Sequence, residues 1–158
     1  IRLVAKNLSS AVADGSDIEA RGNVALANTL GGMVESTSCV ISEHSLAHAM
    51  SALFPDLPHG AGLIMLCEAY FTHFAVICKD RYANMAAAMG GTDFVEELRK
   101  LKKACGVDDL KMSDYNITEA DLPLIVDNAI DTMGFLFDLD PAPLGETDTL
   151  AVLQKSFK

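Results

Sequence analysis

Residues 42–60 read SEHSLAHAMSALFPDLPHG and hold three of the four histidines of the chain. His44 and His48 are four positions apart, so on a helix both imidazoles leave the same face. Prolines and a glycine then interrupt the pattern, which predicts that this helix ends and another begins near Gly60. His59 lies in the interruption, where the chain can fold back. The spacing therefore predicts a cluster of three imidazoles, the side chain best suited to bind metals and to move protons near neutral pH.

Apolar residues recur at helical spacing on both sides of this stretch, and no segment alternates as a strand would. We predict an all-α domain of seven or eight helices, with residues 1–158 forming a single helical metal-binding domain. Ser16 and Glu19 predict a capping box at the start of the second helix, which runs to about Val34. Gly31 and Gly32 inside that helix predict close packing against another helix or a kink.

Charge and cysteine usage narrow the classes of function. The formal net charge of −10 argues against a nucleic-acid partner, which would require a basic surface. The four cysteines are widely separated and form no Cys-x-x-Cys pair, which favours reduced thiols in the cytoplasm. The apolar run 60–78 contains Glu68 and His73, so we expect a buried helix rather than a membrane span.

The histidine cluster allows two interpretations from spacing alone. His44, His48 and His59 could together form a zinc-like site, with Glu43, Asp56 and Glu68 as available oxygens. Glu43 is the poorest of these three because it is adjacent to His44, so on a helix its side chain points away from the face that carries His44. The competing hypothesis is a helical interaction module in which the histidines only pack and the acidic surface meets a basic partner. His73 is interpreted as a packing residue.

The order of motifs resembles the C-terminal half of the iron-containing alcohol dehydrogenases, over essentially the whole chain. That family carries a His-x-x-x-His helix, a small-residue step and then Pro-His-Gly, which here are residues 44–48, 51–52 and 58–60. Residues 7–8, 11–17 and 19–21 resemble a second recurrent stretch of the same family. The resemblance implies a fold of the dehydroquinate-synthase-like type, in which a helical C-terminal domain holds a divalent metal beside an N-terminal domain that binds NAD(P).

The resemblance also implies roles for individual residues. His44 and His59 match two metal ligands, and His48 matches a histidine near the nicotinamide and substrate, which makes it the candidate catalytic residue. The expected reaction is hydride transfer between a small alcohol or aldehyde and NAD(P), with Fe²⁺, Zn²⁺ or another divalent metal polarising the alcohol oxygen. A zinc-preferring polyol dehydrogenase, or an enzyme of the same fold acting on phosphorylated sugars, is the enzymatic alternative.

Half of the family's metal site is missing from these residues. The Asp-x-x-x-His pair that supplies the other two ligands does not occur here, and the first helix begins without a capping residue before Ile1. We therefore expect further residues upstream, including the NAD(P)-binding domain, and an isolated segment without activity. The sequence leaves open the alcohol, the choice between NAD and NADP, the native metal and whether the chain forms a homo-oligomer.

Overall fold

The computed structural model describes residues 1–158 and contains helices but no strands, which confirms the all-α prediction. Three short 3-10 helices, Met112–Tyr115, Glu119–Asp121 and Gly134–Leu139, accompany the α-helices. In chain order, the eight α-helices are α1 (Arg2–Ala13), α2 (Ile18–Ser38), α3 (Ser42–Leu53), α4 (His59–Phe74), α5 (Lys79–Met89), α6 (Phe94–Ala104), α7 (Leu122–Met133) and α8 (Glu146–Ser156).

The chain divides into two compact units, each made of two segments. Unit 1 comprises Ile1–Cys39 and Cys78–Asp108, and unit 2 comprises Val40–Ile77 and Asp109–Lys158. The expectation that residues 1–158 act as one metal-binding domain stays a prediction.

Unit 1 contains α1, α2, α5 and α6, of which α1 packs against each of the other three. The side-chain amide of Asn23 donates to that of Asn7 at 3.1 Å, which joins α2 to α1. α5 is followed by Gly90, whose φ of 95° is a left-handed conformation that favours glycine. Asp93 then caps α6 by accepting from the backbone N–H of Glu96 at 3.0 Å.

Two local expectations about α2 were wrong. Asp17 caps this helix by accepting from the N–H of Ala20 at 2.9 Å, whereas Ser16 donates its hydroxyl to Asp14 at 2.6 Å. A carboxylate is the stronger acceptor, and the turn directs Ser16 away from the helix. The helix also continues unbroken to Ser38, and a Cβ on Gly31 or Gly32 would meet nothing within 4 Å. These glycines therefore mark no close helix contact.

Unit 2 contains α3, α4, α7, α8 and the three 3-10 helices, packed around one apolar core. α3 contacts α4 and α7, and α8 also packs on α4 and α7. α4 was expected to reach about Lys79 but ends at Phe74, and residues 75–78 turn before α5 begins. The core includes the fully buried side chains Leu46, Met50, Leu66, Met112, Ile117, Leu122, Ile125, Val126, Ala129 and Leu153.

No single helix is long and apolar enough to cross a membrane, although α2 and α3 taken together, across the break between them, satisfy that test of length and composition.

Candidate metal centre

The histidines lie on a helix hairpin formed by α3, the turn at residues 54–58 and α4. Pro58 occupies the N-cap position of α4, where a missing N–H removes no helical bond. Close approach of the two helices is possible because Gly62 faces Ala47, and a Cβ on Gly62 would lie 3.6 Å from the Ala47 Cβ. The hairpin therefore returns the first residue of α4, His59, to the face of α3 that carries His44 and His48.

The three imidazoles converge, as the sequence spacing predicted. The ring centroid of His59 lies 4.5 Å from that of His48, in a stacked arrangement, and 5.4 Å from that of His44. One nitrogen from each ring can be chosen such that all three lie within 4.8 Å of one another. His48 is exposed, whereas His44 and His59 are half-buried. One exposed ring and two half-buried rings thus place their nitrogens close together.

The surroundings of His59 lower the pKa of its imidazole. Burial is the main cause that lowers the pKa of His59, and the nearby His48 lowers it further. The Ala47 backbone acts in the opposite direction and raises the pKa. The Nδ1 atom of His59 is buried and has no hydrogen-bond partner. A buried imidazole nitrogen without a partner is costly unless something binds it. The lowered pKa favours the neutral imidazole, which is the form that can bind a metal.

The donor set fits a divalent transition metal. Imidazole nitrogens suit Zn²⁺ and Fe²⁺, and two of them bound to one zinc ion lie no more than about 4.2 Å apart. The three nitrogens lie within 4.8 Å of one another, which is close to this limit. The oxygens considered from the sequence, on Glu43, Asp56 and Glu68, do not belong to this group. The candidate ligand group on this hairpin thus consists of three imidazoles.

A buried polar network lies at the start of α3, and sequence reasoning missed it. Asp140 accepts the Ser42 hydroxyl at 2.6 Å, the Ser42 N–H at 3.1 Å and the Tyr70 hydroxyl at 2.6 Å. Burial, followed by the hydrogen bond to Asp140, raises the pKa of Tyr70. The one local signal was Ile41, which occupies the N-cap position of α3 without a side chain able to accept.

Glu43 is buried beside this network. Burial raises the pKa of its carboxyl to about 8, and the negative charge of Asp140 acts in the same direction. Its Oε1 has no hydrogen-bond partner. The carboxyl is therefore protonated at neutral pH and faces the interior, in agreement with the expectation that Glu43 is a poor partner for His44.

The remaining candidates are packing residues. His73 lies against Phe74 with ring centroids 4.9 Å apart. Tyr70 is fully buried, and Phe54 packs on the core of unit 2. None of the four cysteines forms a disulfide bond.

Comparison with known proteins identifies the family to which these residues belong. The family profile described as "Fe-containing alcohol dehydrogenase family, C-terminal" matches residues 1–157. The 1,3-propanediol dehydrogenase of Klebsiella pneumoniae is 29% identical over 99% of this chain and 42% of its own length. The human mitochondrial hydroxyacid-oxoacid transhydrogenase is 27% identical over the whole chain and 38% of its own length.

Solved structures agree with this assignment. The archaeal alcohol dehydrogenase ADH/D1 from a Red Sea brine pool superposes with a TM-score of 0.92 at 26% identity, over 99% of this chain and 42% of that protein. The 1,3-propanediol oxidoreductase structure superposes with a TM-score of 0.81 at 26% identity. This chain thus spans about two fifths of the length of the relatives it matches. It belongs to the Fe-containing alcohol dehydrogenase family and corresponds to the family's C-terminal helical region.

Proposed function

We propose that this chain is the metal-holding part of an alcohol dehydrogenase that transfers hydride between a small alcohol and NAD(P). The observation that carries the proposal is the convergence of three imidazole nitrogens within 4.8 Å on one hairpin of a chain from this family. The orphaned Nδ1 of His59 supports it, because an unbonded buried nitrogen is otherwise unfavourable.

His44 and His59 are the proposed ligands. Both rings are half-buried on the hairpin, and the lowered pKa of His59 reduces the competition between a proton and a cation for this imidazole. When bound, the divalent cation, Fe²⁺ or Zn²⁺, supplies a Lewis acid that polarises the alcohol oxygen. The remaining ligands are proposed to come from the rest of the complete enzyme.

His48 is the proposed catalytic residue. Its ring is exposed and stacks on His59, so it lies beside the proposed site while one side faces solvent. An imidazole in that position can accept the proton released by the alcohol hydroxyl and pass it to water. The reverse transfer serves aldehyde reduction.

The nicotinamide cofactor is proposed to bind to parts of the enzyme beyond these residues. The matched relatives are more than twice as long as this chain, and hydride transfer needs a bound acceptor next to the alcohol. Residues 1–158 alone are therefore proposed to be inactive. We also propose a cytoplasmic enzyme without a nucleic-acid or membrane partner.

The test is to purify the complete enzyme, measure its bound metals and assay it with NAD and NADP. Metal-free protein would be reloaded separately with Fe²⁺ and Zn²⁺ and supplied with primary alcohols, 1,3-propanediol, other polyols and hydroxyacids. We expect NAD(P)-dependent oxidation of at least one alcohol that disappears with a chelator and returns with a metal. Protein that holds no metal and oxidises none of these substrates would instead support the helical interaction module.

A further inference from the structure

The helix that carries His44 and His48 begins without a cap of its own. Ile41 precedes it and offers no side-chain acceptor, although the first turn of a helix leaves backbone N–H groups unpaired. His44 is the third residue of α3, so its position depends directly on the geometry of that turn. Whatever satisfies the start of α3 therefore also sets where this imidazole lies.

The missing acceptor comes from Asp140, 98 residues further along the chain. Its Oδ1 accepts the N–H of Ser42, the first residue of α3, and its Oδ2 accepts the Ser42 hydroxyl. A carboxylate at this point also opposes the positive end of the helix dipole. Asp140 thus performs at long range the task that a local Asp or Ser performs in most helices.

The same carboxylate also holds α4. Tyr70, on α4, donates its hydroxyl to Asp140 Oδ1 at 2.6 Å, and its oxygen lies 3.1 Å from the Ser42 hydroxyl. Ser42 and Tyr70 are both fully buried and Asp140 is half-buried, and hydrogen bonds to a carboxylate are stronger than those between neutral groups. One carboxylate therefore joins the two helices that supply the three imidazoles.

This junction and the histidine cluster lie at different levels of one hairpin. Ala47 faces Gly62, whereas Ser42 meets Tyr70, so α3 and α4 run antiparallel. Tyr70 is about 16 Å along α4 from His59, at 1.5 Å per residue. A shift or rotation of α4 at the junction would therefore be transmitted to His59 at the other end of the helix.

We propose that Asp140 is a positioning residue for the metal site: by capping α3 and binding Tyr70 of α4, it fixes the two helices against each other and so keeps His44 and His59 side by side. This inference rests on the proposed metal-binding function. It assigns to Asp140 no contact with the metal or the substrate.

The experiment measures binding of Co²⁺ to the metal-free complete enzyme, by calorimetry and by the visible absorption of the bound ion. The variants are Asp140→Asn, which removes the charge and one acceptor, and Tyr70→Phe, which removes a single hydroxyl in case Asp140→Asn folds poorly. Asp138→Asn is the matched control, since this exposed residue lies two positions away and undergoes the same change of charge. All affinities are measured well below each variant's melting temperature.

We expect Asp140→Asn to weaken Co²⁺ binding about tenfold and to alter the absorption of the bound ion, in the range found when groups that orient metal ligands are disturbed. Tyr70→Phe should weaken binding by a smaller factor in the same direction, and Asp138→Asn should leave it unchanged. Unchanged affinity and absorption in Asp140→Asn and Tyr70→Phe, even with lower melting temperatures, would show that the network is merely structural. Equal weakening in Asp138→Asn would also overturn the proposal. Wild-type enzyme that binds no Co²⁺ would instead contradict the proposed function itself.

Discussion

The two compact units differ in how much of their apolar surface is buried. The largest fully buried side chains of the chain, among them Tyr70, Phe74 and Leu46, all lie in unit 2. In unit 1, the 21-residue helix α2 buries only Ala20, and α1 buries no residue completely. Unit 2 is therefore the part of the chain with a well-developed core, and the histidine hairpin belongs to it.

The units also differ in the range of their polar contacts. In unit 1, the bond from Asn23 to Asn7 spans 16 residues, and other polar contacts join near neighbours in sequence, such as the Asp93 cap and the pair of Lys100 with Glu97. In unit 2, the Ser45 hydroxyl reaches the carbonyls of Ala129 and Met133 at 3.0 and 2.9 Å, which fixes α3 against α7 in addition to the Asp140 network. Long-range buried bonds are what a precise site needs, because they restrict the position of a helix and not only its ends.

The largest expected effect separates the roles of two histidines on the unit 2 hairpin. His59→Ala should lower the metal affinity of the complete enzyme by more than about 100-fold, since removing a ligand costs more than disturbing an outer partner. His48→Ala should leave the metal bound while turnover falls. Metal content and kcat measured on both variants check this, with the packing residue His73→Ala as the control.

The two substitutions would give the same result if all three imidazoles bound the ion. Equal loss of metal from His48→Ala and His59→Ala would favour the three-histidine site that the spacing alone also allowed, and would contradict the assignment of His48 to proton transfer.

A second prediction concerns the buried carboxyl of unit 2. The pKa of Glu43 is about 8 in the folded protein and 4.5 without burial, so the folded state retains a proton that the unfolded state releases between these values. The contribution of Glu43 to stability is therefore greatest below pH 4.5 and falls as the pH rises towards 8. The total loss is on the order of 3–5 kcal/mol, at about 1.4 kcal/mol per pKa unit.

Glu43→Gln should remove this slope, because the amide does not ionise. The free energy of unfolding is measured by denaturant titration of the chelator-treated protein at several pH values across that range. The difference between variant and wild type separates the contribution of Glu43 from that of the histidines. Glu35→Gln is the control, as Glu35 is exposed on α2 of unit 1. A wild type and a Glu43→Gln variant with parallel pH profiles would show that this carboxyl is not the source of the slope.

The contrast in burial can be tested by replacing one leucine with alanine in each unit. Leu46→Ala removes a fully buried side chain from the unit 2 core and should lower the free energy of unfolding by about 2–5 kcal/mol. Leu26→Ala on α2 removes a side chain that is 51% exposed, and should change it by no more than about 0.5 kcal/mol. Similar losses in equilibrium denaturation would mean that another surface covers α2 in solution.

The sequence predicted those features of this molecule that depend on residues close together in the chain. The hairpin and its three imidazoles follow from 19 consecutive residues, 42–60, in which helical spacing and prolines leave few arrangements. The Asp140 network could not be predicted in this way, because 98 residues separate its acceptor from Ser42 and no local pattern links them. Gly31 and Gly32 show the opposite error, since a pattern typical of close packing has no packing partner there.

The smallest expected effect tests the difference between a local and a long-range cap. Asp93→Ala removes the side-chain acceptor at the start of α6 in unit 1, where the bond to the Glu96 N–H lies at an exposed helix end. Water can replace that acceptor, so the free energy of unfolding should fall by only about 1 kcal/mol, as for other N-caps. Metal affinity of the complete enzyme should not change, in contrast to Asp140→Asn, because α6 carries no member of the histidine cluster. A loss of Co²⁺ affinity in Asp93→Ala comparable to that in Asp140→Asn would mean that any weakened helix start disturbs the site, and that the capping of α3 has no special role.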